Sequence, residues 1–191
     1  WREAMTCYDR ALEINPTDAQ GWVGKGMALS ALLGEKEAIE CFDRALEINP
    51  VHPWALSMKG MTLWKLGKHK EAIPALDRLL QVNPRQAEAW LGKGVSMARL
   101  GKHEEAIPCF DKALETNPRS ALTWYSKGAS LAALGRHKFA LTCYDRAVEI
   151  NPRSALAWYS KGVSLTKMGR HGEAKECLRK AAEIDPRFRG T

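Results

Sequence analysis

Prolines stand at Pro16, Pro50, Pro84, Pro118, Pro152 and Pro186, each 34 residues after the last, so six of the nine prolines lie on one ladder. A fixed period of about 20–50 residues means a stacked array of like units, not one irregular core. Other columns keep the same period without a gap. Trp22, Leu56, Trp90, Trp124 and Trp158 form one, and Gly26, Gly60, Gly94, Gly128 and Gly162 the next. Leu29, Leu63, Met97, Leu131 and Leu165 follow, then Ala38, Ala72, Ala106, Ala140 and Ala174. Phe42, Leu76, Phe110, Tyr144 and Leu178 precede a column of small or apolar residues at Ala45, Leu79, Ala113, Ala147 and Ala181. Spacings of four and three place each set on one helix face, so a unit holds two helices. Gly67, Gly101, Gly135 and Gly169 separate them, supplying the left-handed residue that ends a helix. Asn-Pro or Asp-Pro ends the second helix, because the residue before proline disfavours the α region. Small residues in mid-helix let the two backbones approach closely.

Composition removes several alternatives. Of 191 residues, 45% are hydrophobic and 27% charged, which is ordinary for a folded protein and excludes disorder and collagen. No apolar run reaches the roughly 18 residues of a membrane span. Trp1-Arg2-Glu3-Ala4 does not resemble a signal peptide. The net charge of +7 admits an acidic partner without requiring one.

The pattern Trp-x-x-x-Gly-x-x-Leu, then Ala-x-x-x-aromatic-x-x-Ala, then Pro, resembles the tetratricopeptide repeat along the whole chain. Wording such as Trp-Tyr-Ser-Lys-Gly is most similar to prokaryotic and archaeal arrays. The resemblance implies an all-α fold, an α-solenoid in which antiparallel helix pairs wind into a right-handed superhelix. Five full repeats are expected at 19–52, 53–86, 87–120, 121–154 and 155–188, after a second helix alone at 1–18. In the first repeat Gly34 comes one place late, with Leu33 at the expected site, so that turn is expected to differ. Pro74 and Pro108 lie early in second helices, where a slight bend and no break is expected.

The two ends differ. The isolated second helix at the front should expose Trp1, Ala4 and Tyr8, a patch able to attract partners or further copies, and suggests that sequence is missing before it. At the back, the column of Met5, Ile39, Ile73, Ile107 and Leu141 turns to Lys175, and the column of Leu12, Leu46, Leu80, Leu114 and Val148 to Ala182. The aspartate column of Asp9, Asp43, Asp77, Asp111 and Asp145 turns to Arg179. A polar outer face is what a terminal cap requires, so the array is expected to end near Asp185. Each of the five aspartates is also expected to face a lysine 16 residues on, at Lys25, Lys59, Lys93, Lys127 and Lys161.

Residues that could carry chemistry fall into columns instead of converging. Cys7, Cys41, Cys109, Cys143 and Cys177 share one column and His69, His103, His137 and His171 another. Neighbouring repeats stack at roughly 8–10 Å between helix axes, too far for same-column disulfides or shared metals. No cofactor, no metal site and no enzyme activity is expected. Unpaired thiols favour a reducing compartment, hence the cytoplasm. Basic stripes at Lys68–Lys70, Lys102–His103, Arg136–Lys138 and Arg170–His171 lack the interleaved exposed aromatics that nucleic-acid binding needs, so nucleic acid is disfavoured.

In the family, ligand contacts come from first-helix positions on the concave side. Carried over by register, the groove comprises Met27, Trp54, Met58, Met61, Trp64, Lys65, Leu91, Val95, Arg99, Tyr125, Tyr159 and Val163, with Val23, Leu122 and Leu156 on the same faces. The asparagines with which the chaperone-binding branch clamps a carboxylate are absent. Gly24, Met58, Gly92, Ser126 and Ser160 stand in one such column. The second repeat has Leu56 in the tryptophan column and tryptophans at Trp54 and Trp64 instead. Aromatic anchors beside adaptable methionines suit a protein-binding surface. The expected role is a non-catalytic protein–protein interaction scaffold for an apolar or amphipathic peptide with a few acidic side chains. The alternatives are a sensor or regulatory array cut from a larger signalling protein, and self-association through the front half-repeat. Deleting the residues after Pro186 is expected to leave the melting temperature almost unchanged.

Overall fold

The two patterns per unit become eleven α-helices among residues 1–32 and 34–189, which the computed structural model describes. They are α1 (Arg2–Ile14), α2 (Ala19–Ala31), α3 (Glu35–Ile48), α4 (Pro53–Lys65), α5 (His69–Val82), α6 (Ala87–Arg99), α7 (His103–Thr116), α8 (Ala121–Ala133), α9 (His137–Ile150), α10 (Ala155–Lys167) and α11 (His171–Ile184). Helix pairs α2–α3, α4–α5, α8–α9 and α10–α11 pack within repeats, and α1–α2, α3–α4, α7–α8 and α9–α10 pack between them. This is an all-α solenoid. The chain divides into two compact units, Trp1–Ser96 and Met97–Thr191.

Close approach within a pair is enforced by one column. A Cβ added at Gly26 would lie 2.5 Å from the Phe42 ring, and one at Gly128 would lie 2.7 Å from the Tyr144 ring. Gly60 and Gly162 meet Leu76 and Leu178 at 2.8 Å in the same way. The small residue is therefore the seat of the large one on the second helix.

The turns are closed as the glycines foretell. Gly67, Gly101, Gly135 and Gly169 have φ of +72°, +80°, +72° and +75°. The next amide donates back to the first helix, Lys68 to the Leu63 carbonyl and Lys102 to that of Met97, both at 2.9 Å, a Schellman closure. Gly34 has φ −90° and ψ 58°, close to the −79° and 59° of Lys68, and its amide donates to the Leu29 carbonyl at 2.9 Å. It occupies the column of Lys68, Lys102, Arg136 and Arg170, where no glycine is needed, and keeps the hydrogen bond of the other turns. Leu33, the other residue of that expectation, lies outside the described residues. Helices α5 and α7 run through Pro74 and Pro108 unbroken.

The first unit has a large core cluster, with Leu56, Leu63, Leu76 and Leu79 nearly inaccessible and Trp22, Trp64 and Trp90 packed against it. In the second unit Trp158 packs against two smaller clusters, reaching Leu141 and Leu165 as well as Val148 and Ala157. At the front, only Trp1 of the three residues expected at the surface is fully exposed. Tyr8 is half-buried because its ring fills the space above Gly24, where a Cβ would lie 2.4 Å away.

At the back, Pro186–Phe188 forms a 3-10 turn. The Asp185 carboxylate accepts from the Arg187 amide at 3.0 Å and pairs with its guanidinium. Phe188 lies 4.8 Å from Tyr159, ring centre to ring centre. The residues after Pro186 are thus not an inert tail. Their removal uncovers Tyr159, and an unchanged melting temperature no longer follows.

The two kinds of turn glycine are separable by mutation. Gly101→Ala forces a side chain into the left-handed region and is expected to lower stability by about 1–2 kcal/mol. Gly34→Lys, which restores the basic residue of the other repeats, is expected to stay within about 0.5 kcal/mol of wild type. Urea denaturation followed by circular dichroism measures both.

Candidate functional site

The groove residues named from register divide by burial. In the first unit Trp54 is 62% exposed, and Met27 and Lys65 are also exposed. Met58 and Val95 are half-buried. Met61 and Trp64 pack against the core cluster, and Leu91 is 8% exposed. Trp64 leans on Gly92, where a Cβ would lie 3.6 Å from its indole. In the second unit Arg99 and Val163 are exposed. Tyr125 packs on two core clusters and lies 6.0 Å from the Tyr144 ring. Tyr159 meets Phe188. Leu122 and Leu156, in the column of Trp54, are 55% and 46% exposed. One face of the first helices therefore serves packing, through Leu91, Met61 and Trp64, and a second offers bare apolar side chains.

The junctions that hold these faces in register are polar. Every expected Asp–Lys pair forms. Lys25 meets Asp9 at 2.7 Å, Lys93 meets Asp77 and Lys127 meets Asp111 at 2.5 Å, Lys161 meets Asp145 at 2.6 Å, and Lys59 pairs with Asp43. The carboxylates are only partly covered, so each pair contributes up to about 1 kcal/mol. The same ammonium groups of Lys25, Lys93, Lys127 and Lys161 stand 5.3–5.8 Å from the indole centres of Trp22, Trp90, Trp124 and Trp158, within cation–π range.

A second junction bond was not foreseen. The indole N–H of Trp22, Trp90, Trp124 and Trp158 donates to the carbonyl of the ladder proline six residues earlier, at 2.8–2.9 Å. Where Leu56 replaces tryptophan, the Pro50 carbonyl accepts instead from the Arg78 guanidinium at 2.6 Å. The constant spacing of Trp and Pro was the signal available in the sequence.

Two of the column histidines bridge successive helices. His69 Nδ1 lies 3.3 Å from the Ser96 hydroxyl, and His103 Nδ1 lies 3.5 Å from that of Ser130. Each links the start of a second helix to the next first helix. Cys41, Cys109, Cys143 and Cys177 are buried and Cys7 is exposed. Burial pushes the thiols of Cys41, Cys143 and Cys177 above the ordinary cysteine value, which suppresses the reactive thiolate.

Much of the basic stripe is locally paired. Lys68, Lys102 and Arg170 meet Glu71, Glu105 and Glu173 three residues on. In α9 that glutamate column holds exposed Phe139, and Arg136 instead forms a two-pronged pair with Glu104 of the preceding repeat. Among the described residues no helix is long and apolar enough to cross a membrane.

Profiles of the tetratricopeptide repeat match residues 19–52, 57–121, 121–154 and 155–188. Among solved structures, YrrB, described as a TPR protein with an unusual peptide-binding site, is 25% identical and superposes with a TM-score of 0.82, covering 94% of this chain and 92% of its own. A structure of MamA is 23% identical with a TM-score of 0.81, over 85% of this chain and 95% of that one. MamA from Desulfovibrio magneticus RS-1 is 18% identical with a TM-score of 0.82, over 91% and 97%. At such identities the two MamA structures speak for the fold alone. No curated protein matches the chain.

Two outcomes follow from the burial pattern. Trp54→Ala is expected to shift stability by less than about 0.5 kcal/mol, whereas Trp64→Ala opens a void against the core and is expected to cost about 2 kcal/mol or more; urea midpoints separate them. A thiol reagent at neutral pH is expected to modify Cys7 rapidly and the four buried cysteines only on unfolding, as intact-mass spectrometry would read.

Proposed function

The chain belongs to the tetratricopeptide repeat family, and on that footing we propose that it is a non-catalytic scaffold that holds an apolar or amphipathic segment of a partner protein against its first helices. Folds of this kind are typical of protein–protein interaction scaffolds. The observation that carries the finer reading is the column of Trp54, Leu122 and Leu156, which stays 46–62% exposed while the tryptophan and glycine columns of the same helices are engaged in packing. A large apolar side chain left bare at the same place in three repeats suits recognition better than stability. The likeness to YrrB, whose description mentions a peptide-binding site, supports the same class of ligand. Self-association through the front helix is the weaker reading, because Tyr8 is already seated on Gly24.

Selection of a random-peptide library against the full chain is expected to enrich apolar segments whose affinity falls about ten-fold with Trp54→Ala, for those held by the first unit, or with Leu122→Asp, for those held by the second, a loss of about 1.4 kcal/mol. Enriched peptides indifferent to all three of Trp54, Leu122 and Leu156 would remove the proposal.

A further inference from the structure

The last helix carries an inverted copy of the code that joins the repeats. At five junctions an aspartate on the second helix accepts the lysine of the next first helix. Around the last of these, Leu141 and Val148 of α9 are buried in clusters that also take in Trp158 of α10. The equivalent face of α11 has Arg179 where the aspartate stands, Lys175 where Leu141 stands and Ala182 where Val148 stands.

That face borders a cavity of about 440 Å³ with an apolar lining of Leu178, Ala182 and Phe188 and a cationic lining of Lys175, Arg179 and Arg189. His171, Thr166 and Ala174 complete it, and no carboxylate is among the lining residues. Arg179 is held from the side by Glu176 and Glu183 of its own helix. Lys175 and Arg189 have no ion-pair partner among the described residues.

We propose that this face of α11 docks an acidic amphipathic helix of a partner protein, with a glutamate or aspartate placed where the inner repeats present lysine. The apolar lining supplies contact area, and the positive charges choose the sign of what covers it. The same inversion works against a further copy of this chain. Its first helices carry Lys25, Lys59, Lys93, Lys127 and Lys161 at that place, and all five are already paired with aspartates of the preceding helix, so a copy has no free first helix to lay on this face, and its lysine would oppose Arg179 if it did. This surface is separate from the exposed column of the first helices and does not depend on what that column binds.

The probe is a peptide of residues 154–168 carrying Lys161→Glu and Lys167→Gln, hence net acidic, compared with the same peptide keeping Lys161, each titrated into isotope-labelled full chain and followed by amide chemical shifts. The acidic peptide is expected to shift Lys175, Leu178, Arg179 and Ala182 with half-saturation at or below about 1 mM, and the lysine peptide to bind at least about ten-fold more weakly. Arg179→Asp, which restores the aspartate of the inner repeats, is expected to reverse that order, and Lys175→Glu to weaken the acidic peptide alone. Folding of both variants is checked by circular dichroism. Absence of shifts on α11 at about 1 mM, equal binding of the two peptides, or an order unchanged by Arg179→Asp would overturn the proposal. Preference of the wild-type chain for the lysine peptide would also overturn it, and would point to head-to-tail stacking of copies.

Discussion

Helices of 13 or 14 residues are marginal alone in water, so each survives by how closely a neighbour approaches. That approach depends on one missing side chain. At Gly26 and Gly128 the position of a Cβ is already taken by the ring of Phe42 or Tyr144, and those rings are 0% and 2% exposed. With the ring seated, the two helices of a repeat fix each other's rotation. The positive-φ turn then only has to join ends that are already in place. Energetically the protein is a chain of such local agreements, each unit answering only to its neighbours.

Departures from the repeat are compensated nearby, and in kind. Leu56 removes an indole donor, and Arg78 supplies the Pro50 carbonyl from another helix. Phe139 removes a glutamate from the first turn of α9, and Arg136 turns to Glu104. Gly34 replaces a lysine without loss, since only the backbone is used there. The Pro50 carbonyl and the Arg136 guanidinium are exposed and could have turned to water, yet in each case the solenoid offers a protein partner one repeat away.

Most of the helices, their turns and the Asp–Lys pairing were legible because five copies of one unit act as their own controls. A residue that recurs at Trp22, Trp90, Trp124 and Trp158 announces a structural duty without any structure. What escaped was whatever occurs once, or depends on the relative depth of two columns. Trp64 and Leu91 lie on the same first helices as the Trp54 column, in other columns, and pack toward the core; periodicity alone does not tell a half-turned face from a bare one. Tyr8 was expected in the open because its missing partner helix was counted, while the empty seat above Gly24 was not. Phe188 lies beyond the last repeated column, so no second copy existed to betray its contact with Tyr159.

The ion pairs and indole bonds of the junctions share a direction. In each, the donor belongs to the later repeat and the acceptor to the earlier one: lysine to aspartate, and indole to proline carbonyl wherever tryptophan is present. The solenoid thus has a grammar that reads one way, like links with a hook at one end and an eye at the other. Such a chain can in principle be shortened or lengthened by whole links with every remaining hook still meeting an eye. A cut at any other phase, or a link laid in backwards, leaves two hooks facing each other.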